Sequence, residues 1–317
     1  MAIPVIFDTD AGSDIDDLYA LALILKHPDL DLLGVTTVAG NTQARARLVA
    51  KMLRLAGRED VPVCAGIQVP PTQAERGVTR KAYGHDLSHY DVVTRKDPEQ
   101  KRRFGDAVKF ILKTLKSAKE PVTLIGSGPW TNIAEVVRRA GKAERAAIGQ
   151  LALMGGEVRL MHSESNVRSD PEGAAAVLES GLPLFVGTWS VTRGFFYTIY
   201  EIADLNGKAR DAFLRALIDA TRLWWGKGRT HKPGPVCYDV IPALWAAGER
   251  NAFTCVKLDR LPVELNGEQT RGMTVLSPYQ LLSAETSARP APGSILVTRE
   301  MDAGKVRARF EELVFGG

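Results

Sequence analysis

The chain has 317 residues, of which 45% are hydrophobic and 25% are charged, and both fractions are typical of an ordinary globular protein. The formal net charge of +4 comes from 41 basic and 37 acidic residues scattered along the chain, which does not indicate a nucleic-acid-binding protein. The sequence shows no signal peptide, no apolar run long enough to span a membrane, and no metal-finger or disulfide pattern among its 3 cysteines. We therefore expect a cytoplasmic protein that acts on a small molecule, with no nucleic acid and no membrane as a partner.

The most informative segment lies near the N-terminus, where residues 8–17 read Asp-Thr-Asp-Ala-Gly-Ser-Asp-Ile-Asp-Asp. Apolar runs at residues 3–7 and 18–25 flank it, which predicts a strand, a loop and a helix in that order. Five carboxylates at this density repel one another, and a hard divalent cation such as calcium or magnesium would relieve the repulsion. The alternative is a well-capped helix, but the preference of Asp for helix N-termini accounts for only one or two of the five.

Strand and helix patterns then alternate along the chain. Strands are predicted at residues 32–38, 61–63, 122–125, 151–154 and 184–186, and helices at residues 43–55, 131–139 and 171–179. This alternation predicts an α/β fold, with a mostly parallel central sheet and helices on both faces. Ligands of such sheets bind beyond the carboxyl ends of the strands, and every strand predicted here ends in a polar or glycine-rich loop. We expect one domain over residues 1–317.

Two long polar stretches interrupt the alternation. They span about residues 66–103, which contain Tyr83, His85 and His89, and residues 224–238, which run from Trp224 to Tyr238. Loops this long inside a compact domain are usually functional lids or disordered segments. We interpret both stretches as lid loops over the site.

Six further motifs follow the acidic segment in a fixed order. They are Val38-Ala39-Gly40-Asn41, Gly126-Ser127-Gly128-Pro129-Trp130-Thr131-Asn132, Met154-Gly155-Gly156, Glu164-Ser165-Asn166 with Asp170-Pro171-Glu172, Tyr238-Asp239, and Arg271-Gly272-Met273-Thr274-Val275. Each motif is weak alone, but in this order the chain resembles the inosine-uridine-preferring nucleoside hydrolases over residues 5–275. The resemblance implies the Rossmann-like architecture of that family, with the active site at the carboxyl ends of the strands.

The resemblance also implies calcium-dependent hydrolysis of the N-ribosidic bond of a ribonucleoside, which gives free base and ribose. Carried over by position, the calcium ligands would be Asp10, Asp17, Asp239 and the main-chain carbonyl of Ser127. The ribose hydroxyls would be bound by Asp16, Asn41, Glu164, Asn166 and Asp239. The chemistry agrees with these roles, because a metal-bound water is acidified and Asp10 is then the candidate base that takes its proton.

The sequence departs from the family pattern in two places. The acidic loop is two residues longer than the usual Gly-x-Asp-Asp; we align Asp16 and Asp17 with the family pair because the helix follows them directly, and Asp14 remains an alternative. The histidine that usually precedes the last Asp is Tyr238 here, and a position that is often His-Gly is Tyr83-Gly84. The second group of changes falls on the side of the leaving nucleobase.

A nucleobase anion leaves poorly unless it is protonated or its charge is stabilised. Tyr238, a weak acid with an ordinary pKa of about 10, is expected to donate a hydrogen bond in place of the histidine. Alternatively, a lid histidine acts as the acid, with His231 as the first choice and His85 as the second, or the enzyme prefers bases that leave easily. Tyr83, Trp224 or Trp225 could stack on the base, although the two tryptophans are more often packing residues near a helix end.

The remaining distinctive residues have simpler interpretations. We expect the aromatic side chains of Trp189 and residues 195–197 in the core or at an oligomer contact. The basic residues at 45–58 and 138–145 are expected to form solvated helix faces. The protein is expected to be a homodimer or a homotetramer.

Two other functions are weighed against nucleoside hydrolysis. A haloacid-dehalogenase-like phosphatase also begins with a strand and Asp-x-Asp, but Gly12 stands where that family has Thr or Val, and the later motifs do not fit. A non-catalytic ribosyl-binding protein of the same fold, or a hydrolase for a non-standard riboside, is suggested by Tyr238. Asp10 argues against a pure binding protein, which has no need of a base beside the metal.

Overall fold

The computed structural model describes residues 2–79, 87–277, 279–280, 285–286 and 289–316. In these residues one sheet carries all the strands, which are β1 (Ile3–Thr9), β2 (Leu30–Thr37), β3 (Val63–Ala65), β4 (Gly105–Asp106), β5 (Val122–Gly126), β6 (Ile148–Met154), β7 (Leu184–Gly187), β8 (Phe253–Leu258), β9 (Glu285–Thr286) and β10 (Ile295–Met301). Their order across the sheet is β4-β3-β2-β1-β5-β6-β7-β10-β8-β9.

The sheet is parallel from β4 to β10, and only β8 and β9 run antiparallel to their neighbours. The predicted mostly parallel sheet is therefore confirmed. In the register of the sheet, Asp8 of β1 lies opposite Thr36 of β2 on one side and Gly126 of β5 on the other. The carboxyl ends of these three central strands consequently lie at the same edge.

Helices cover both faces of the sheet. They are α1 (Asp16–Lys26), α2 (Thr42–Leu55), α3 (Pro71–Glu75), α4 (Ala107–Ser117), α5 (Thr131–Arg139), α6 (Lys142–Ala147), α7 (Ser165–Ser169), α8 (Pro171–Leu178), α9 (Trp189–Thr192), α10 (Ile199–Lys208), α11 (Ala212–Gly226), α12 (Val240–Ala246) and α13 (Ala303–Phe315). Because side chains alternate along a strand, Val5 and Phe7 pack into the core on one face and Ile6 into the core on the other.

Helix α1 is buried over its first nine residues because it packs against α11, α12 and α13. A helix that is surrounded in this way is apolar on every side, which explains the continuous run from Leu18 to Leu25. The tight packing holds the start of α1, and with it Asp16 and Asp17, at the carboxyl end of β1.

Several predicted boundaries shift in the structure. The strand predicted at residues 61–63 is Val63–Ala65, because Pro62 has no N–H to donate to a strand ladder. Residues 66–103 contain α3 and two short 3₁₀ turns, Tyr90–Val92 and Pro98–Lys101, while Tyr83 and His85 lie outside the described residues. The second long stretch begins inside α11 and is irregular after Gly226. Across the described ranges, no helix is both long and apolar enough to cross a membrane.

Candidate active site

A cavity of about 360 Å³ opens at the carboxyl edge of the sheet. Acidic side chains dominate its described lining, which consists of Asp10, Ser13, Asp14, Asp16, Asp17, Ser127, Pro129, Met154, Glu164, Ser165, Asn166, Ser169, Trp189, Arg229, Tyr238 and Asp239. The residues come from the ends of β1, β5 and β6, from helices α1, α7 and α9, and from the segment between α11 and α12. Most of the site residues predicted from the sequence are therefore brought together here.

The strand ends below the cavity are fixed by a buried carboxyl group. Asp8 accepts hydrogen bonds from Thr36 Oγ1 at 2.5 Å and from Asn132 Nδ2 at 2.8 Å. Burial raises the pKa of Asp8 to about 7. Asp8 is not among the residues that line the cavity, so its contacts connect β1, β2 and α5 rather than reach a ligand.

Three carboxylates form the closest group in the cavity. One carboxylate oxygen from each of Asp16, Asp17 and Asp239 lies within 4.8 Å of the other two, and all three side chains are buried. Asp17 accepts hydrogen bonds from Thr9 and, at 2.6 Å, from Ser127 Oγ, while Asp16 and Asp239 are hydrogen bonded to each other.

Burial raises the pKa of all three carboxyl groups in this cluster, and neighbouring carboxylates raise it further. Buried groups with this mutual repulsion fit a hard divalent cation, which would be held by oxygen atoms alone. The donor set therefore fits a hard divalent cation, the class of metal that the acidic segment indicates.

Asp10 lines the same cavity but is not a member of the three-carboxylate group. Asp16, which was expected to bind ribose, is a member of that group. Burial, and then the charge of Asp17, raises the pKa of Asp10 to about 8. The space around Asp10 is tight, because a Cβ on Gly128 would lie 3.0 Å from Asp10 Oδ1 and 2.8 Å from Val38 Cγ1. The absence of a side chain at residue 128 therefore makes room for Asp10.

Glu164 and Asn166 build the wall beyond β5 and β6. The Glu164 carboxylate caps α7 by accepting from the backbone N–H groups of Asn166 and Val167, and it also accepts from Gly156 N at 3.0 Å. Asn166 Nδ2 donates to the main-chain carbonyl of Ser127 at 2.7 Å, the same carbonyl expected as a metal ligand. Asn41, in contrast, caps α2 and does not line the cavity.

Two aromatic residues, Tyr238 and Trp189, line the cavity. The Tyr238 hydroxyl is hydrogen bonded to the Trp189 side chain, and burial followed by the charge of Asp16 raises the pKa of Tyr238 to about 12. Trp189, expected in the core or at an oligomer contact, instead lines the cavity, and its ring lies against that of His162 in a tilted arrangement at a centroid distance of 4.8 Å. The signal for it in the sequence is its position directly after the carboxyl end of β7.

The structure separates the lid residues expected on the leaving-group side. His231 is exposed and is not among the described residues that line the cavity, whereas Arg229, two residues earlier, is. Trp224 is buried in the core, as the packing interpretation predicts. Trp225 is partly buried and packs against the same core. Tyr83 and His85 cannot be located because they fall outside the described ranges.

Arg45 does not lie on a solvated helix face, so the prediction made for it is wrong. Arg45 is fully buried, and its guanidinium donates to the carbonyls of Asp10, Ala11 and Ala39 and, at 2.8 Å, to Ser13 Oγ. It therefore holds the backbone of the acidic loop. The sequence does indicate this burial, because Arg45 shares a face of α2 with the apolar residues Leu48, Val49 and Met52.

The chain was compared with known proteins. The family model for inosine-uridine preferring nucleoside hydrolases matches residues 5–308. The pyrimidine-specific ribonucleoside hydrolase RihA of Citrobacter koseri is 30% identical over 306 residues, covering 91% of this chain and 92% of the relative. RihA of Escherichia coli K12 is 29% identical, with 91% and 93% covered.

Solved structures agree with the fold. A plant nucleoside hydrolase, the PpNRh1 enzyme, has a TM-score of 0.82 at 22% identity, with all of both chains covered. A purine-preferring ribonucleoside hydrolase from Gardnerella vaginalis has a TM-score of 0.77 at 24% identity, with 99% of this chain and 98% of the other covered. Because the family model spans nearly the whole chain, this protein belongs to the inosine-uridine preferring nucleoside hydrolase family and is an enzyme.

Proposed function

We propose that the protein hydrolyses the N-ribosidic bond of ribonucleosides with the help of a bound calcium ion, and that it releases free base and ribose. The single observation that carries the proposal is the cavity itself. Six carboxylates, those of Asp10, Asp14, Asp16, Asp17, Glu164 and Asp239, line a space of about 360 Å³ together with Asn166. Its size and polarity suit a sugar with vicinal hydroxyls.

The cation would be held by Asp10, Asp17, Asp239 and the Ser127 carbonyl, and the proximity of Asp16 to Asp17 and Asp239 makes Asp16 a further candidate ligand. When bound, such a cation acidifies and positions a water molecule. Asp10 acts as the general base that accepts a proton from the attacking water. Calcium is proposed because it accepts several carboxylate and carbonyl oxygens in a flexible geometry.

The ribose would be bound by Asp16, Asn166, Glu164 and Asp239. As the N-ribosidic bond breaks, positive charge develops on the ribose ring, and the surrounding carboxylates stabilise that charge. Asn166 is already oriented by the hydrogen bonds from its Nδ2 to the Ser127 and Met154 carbonyls, so its Oδ1 would be presented to the sugar in a defined position.

The experiment is product analysis on a panel of nucleosides. Inosine, uridine, adenosine and cytidine are incubated with the protein and calcium, and free base and reducing sugar are measured separately. We expect equal amounts of both products from at least one of them. The matching 2′-deoxynucleosides should react more slowly, by up to about 10⁴-fold, because a site built for a hydroxyl leaves polar groups unpaired without it.

Equal rates on ribonucleosides and deoxyribonucleosides would contradict the proposed ribose site. Saturable binding of a riboside without any release of base would favour the non-catalytic ribosyl-binding alternative. The homodimer or homotetramer, the cytoplasmic location, the single domain and the two lid loops stay predictions.

A further inference from the structure

The charges around the cavity are unequally distributed. Six carboxylates line it, and among the described lining residues Arg229 is the one with a cationic side chain. Arg229 comes from the irregular segment after α11, while most of the carboxylates come from the acidic loop and the start of α1. A permanent positive charge from the segment after α11 therefore borders an acidic site.

Arg229 is held in this position by specific contacts. Its guanidinium lies over the ring of Trp224, with the central carbon 5.3 Å from the ring centroid, and Trp224 is itself anchored in the core. One guanidinium nitrogen donates to the Ser13 carbonyl at 3.3 Å, and another donates to the Lys227 carbonyl at 3.3 Å. Since Ser13 belongs to the acidic loop, Arg229 joins that loop to the lid.

The two histidines of the described lid segments are not in a position to protonate a leaving group. His231 is exposed and outside the cavity lining, and His89 is fully buried and also outside it. The Tyr238 hydroxyl accepts a hydrogen bond from the indole N–H of Trp189 and is uncharged at neutral pH, so Tyr238 brings no positive charge to the leaving group. Among the described residues of these two segments, Arg229 is the one that brings a cationic side chain to the lining of the cavity.

We propose that Arg229 is a catalytic residue on the leaving-group side, where its guanidinium donates hydrogen bonds to the departing nucleobase and stabilises the negative charge that develops there. This inference rests on the proposed N-ribosidic hydrolysis. Arginine stays charged at all ordinary pH values, so it acts by electrostatic stabilisation and not as an acid.

The reaction balances without a further reactant. The bond between the anomeric carbon and the base nitrogen breaks, and its electron pair goes to the nitrogen. The water oxygen forms the new bond to carbon and loses one proton to the Asp10 carboxylate. The base anion, stabilised by Arg229, takes up a proton from solvent on release, and Asp10 returns its proton to solvent.

The test compares substrates that differ in how much help the leaving group needs. Arg229→Met removes the charge but retains length, Arg229→Lys retains the charge without the planar fork, and Arg222→Met on an exposed part of α11 is the matched control. For each variant, kcat and KM are measured with inosine, uridine and p-nitrophenyl riboside, whose nitrophenolate is a stable anion. Circular dichroism and thermal melting verify that each variant is folded.

We expect Arg229→Met to lower kcat for the nucleosides by about 10²–10³-fold, the usual effect of removing one charge-stabilising donor. The loss on p-nitrophenyl riboside should be less than about tenfold by the same reasoning, and the Lys variant should lie between Met and the wild type. Arg222→Met should leave all rates unchanged.

Equal losses on both kinds of substrate would overturn the proposal, because they would assign Arg229 to holding the Ser13 backbone only. Unchanged nucleoside rates in Arg229→Met would overturn it as well. Either of these results would overturn the role of Arg229 only. The proposed function would stand as long as the wild-type protein cleaves p-nitrophenyl riboside and the nucleosides. A wild-type protein that cleaves none of them contradicts the proposed function, and the role of Arg229 falls with it.

Discussion

At the scale of single residues, Asp10 is the proposed general base beside the cation. It lines the cavity, and although burial and the charge of Asp17 raise its pKa to about 8, a cation bound beside it would favour the deprotonated form that a base needs. Asp10→Asn keeps the shape of the side chain but removes its negative charge and its basicity. We expect turnover to fall by roughly 10³-fold or more, since a general base contributes about 10²–10⁴-fold and a ligand charge is lost too.

The matched control for this variant is Asp204→Asn on the exposed face of α10. Rates of ribose release are measured for both variants under saturating calcium. A near-normal rate in Asp10→Asn would transfer the role of the base to another carboxylate of the cavity.

His89 makes a separate prediction about stability and pH. It is fully buried, neither ring nitrogen has a hydrogen-bond partner among the described residues, and burial followed by the charges of Arg45, Arg229 and Lys227 lowers its pKa to about 3. The unfolded chain binds a proton at His89 near pH 6.5, whereas the folded protein does not until about pH 3. This group therefore destabilises the folded state progressively as the pH falls through that window.

Between pH 7.5 and 5.5 the contribution of His89 should lower the free energy of unfolding by about 1.4 kcal/mol. The reason is that pH 5.5 lies about one unit below the pKa of the unfolded histidine, and one unit corresponds to about 1.4 kcal/mol. His89→Leu should remove that part of the pH dependence and be near neutral or stabilising at pH 7.5, since it removes polar atoms that lack partners. The free energy of unfolding in urea is compared at both pH values with wild type and with the exposed control His231→Leu. An unchanged pH dependence in His89→Leu would show that His89 is not buried as a neutral group.

Single residues also show where sequence reasoning stops. The density of carboxylates at residues 8–17 predicted a shared acidic site, because the start of a helix and the end of a strand must meet there. The buried state of Arg45 was missed, because a lone arginine on an amphipathic helix is usually solvated. Its burial depends on carbonyl groups of residues 10, 11 and 39, whose positions only the tertiary structure fixes.

At the scale of elements, the loop after β5 sets the space available to Asp10. A Cβ at residue 128 would approach Val38 Cγ1 and Asp10 Oδ1 too closely for an undisturbed structure. Gly128→Ala should therefore displace Asp10 and lower turnover by about 10–10²-fold, because a misplacement of 1 Å can cost 10²-fold.

Gly207→Ala is the control, because it lies in α10 with open space around the added methyl group. It should leave turnover unchanged and raise stability slightly, since Ala is the better helix former. A normal rate in Gly128→Ala would mean that the loop yields without moving Asp10.

The helices and strands themselves were largely predictable from local patterns. The helix over residues 131–139 and the strand ends near residues 125 and 154 were confirmed, because apolar periodicity and flanking turn residues are local signals. The start of β3 after Pro62, later than predicted, shows where local sequence patterns fail to place a strand. There, hydrogen bonding to β2, rather than the apolar run, decides where the strand begins.

At the scale of the whole molecule, the order of the strands could not be predicted from the sequence. β10, the last strand in the chain, lies between β7 and β8, and β8 runs antiparallel to it. Such an arrangement depends on contacts between distant segments, which no local pattern encodes. The meeting of Asp239 with Asp16 and Asp17 depends on the same long-range packing of α12 against α1.

The proposed function requires a cation, bound among the buried carboxylates, for the hydrolysis of a ribonucleoside. Its most direct test is ribose release from inosine and uridine before chelation, after treatment with a strong chelator, and after calcium or magnesium is added back, together with metal analysis of the purified protein. We predict a bound divalent cation, loss of ribose release on chelation, and recovery with calcium. Purified protein without a bound ion, together with ribose release that strong chelators do not affect, would contradict the account.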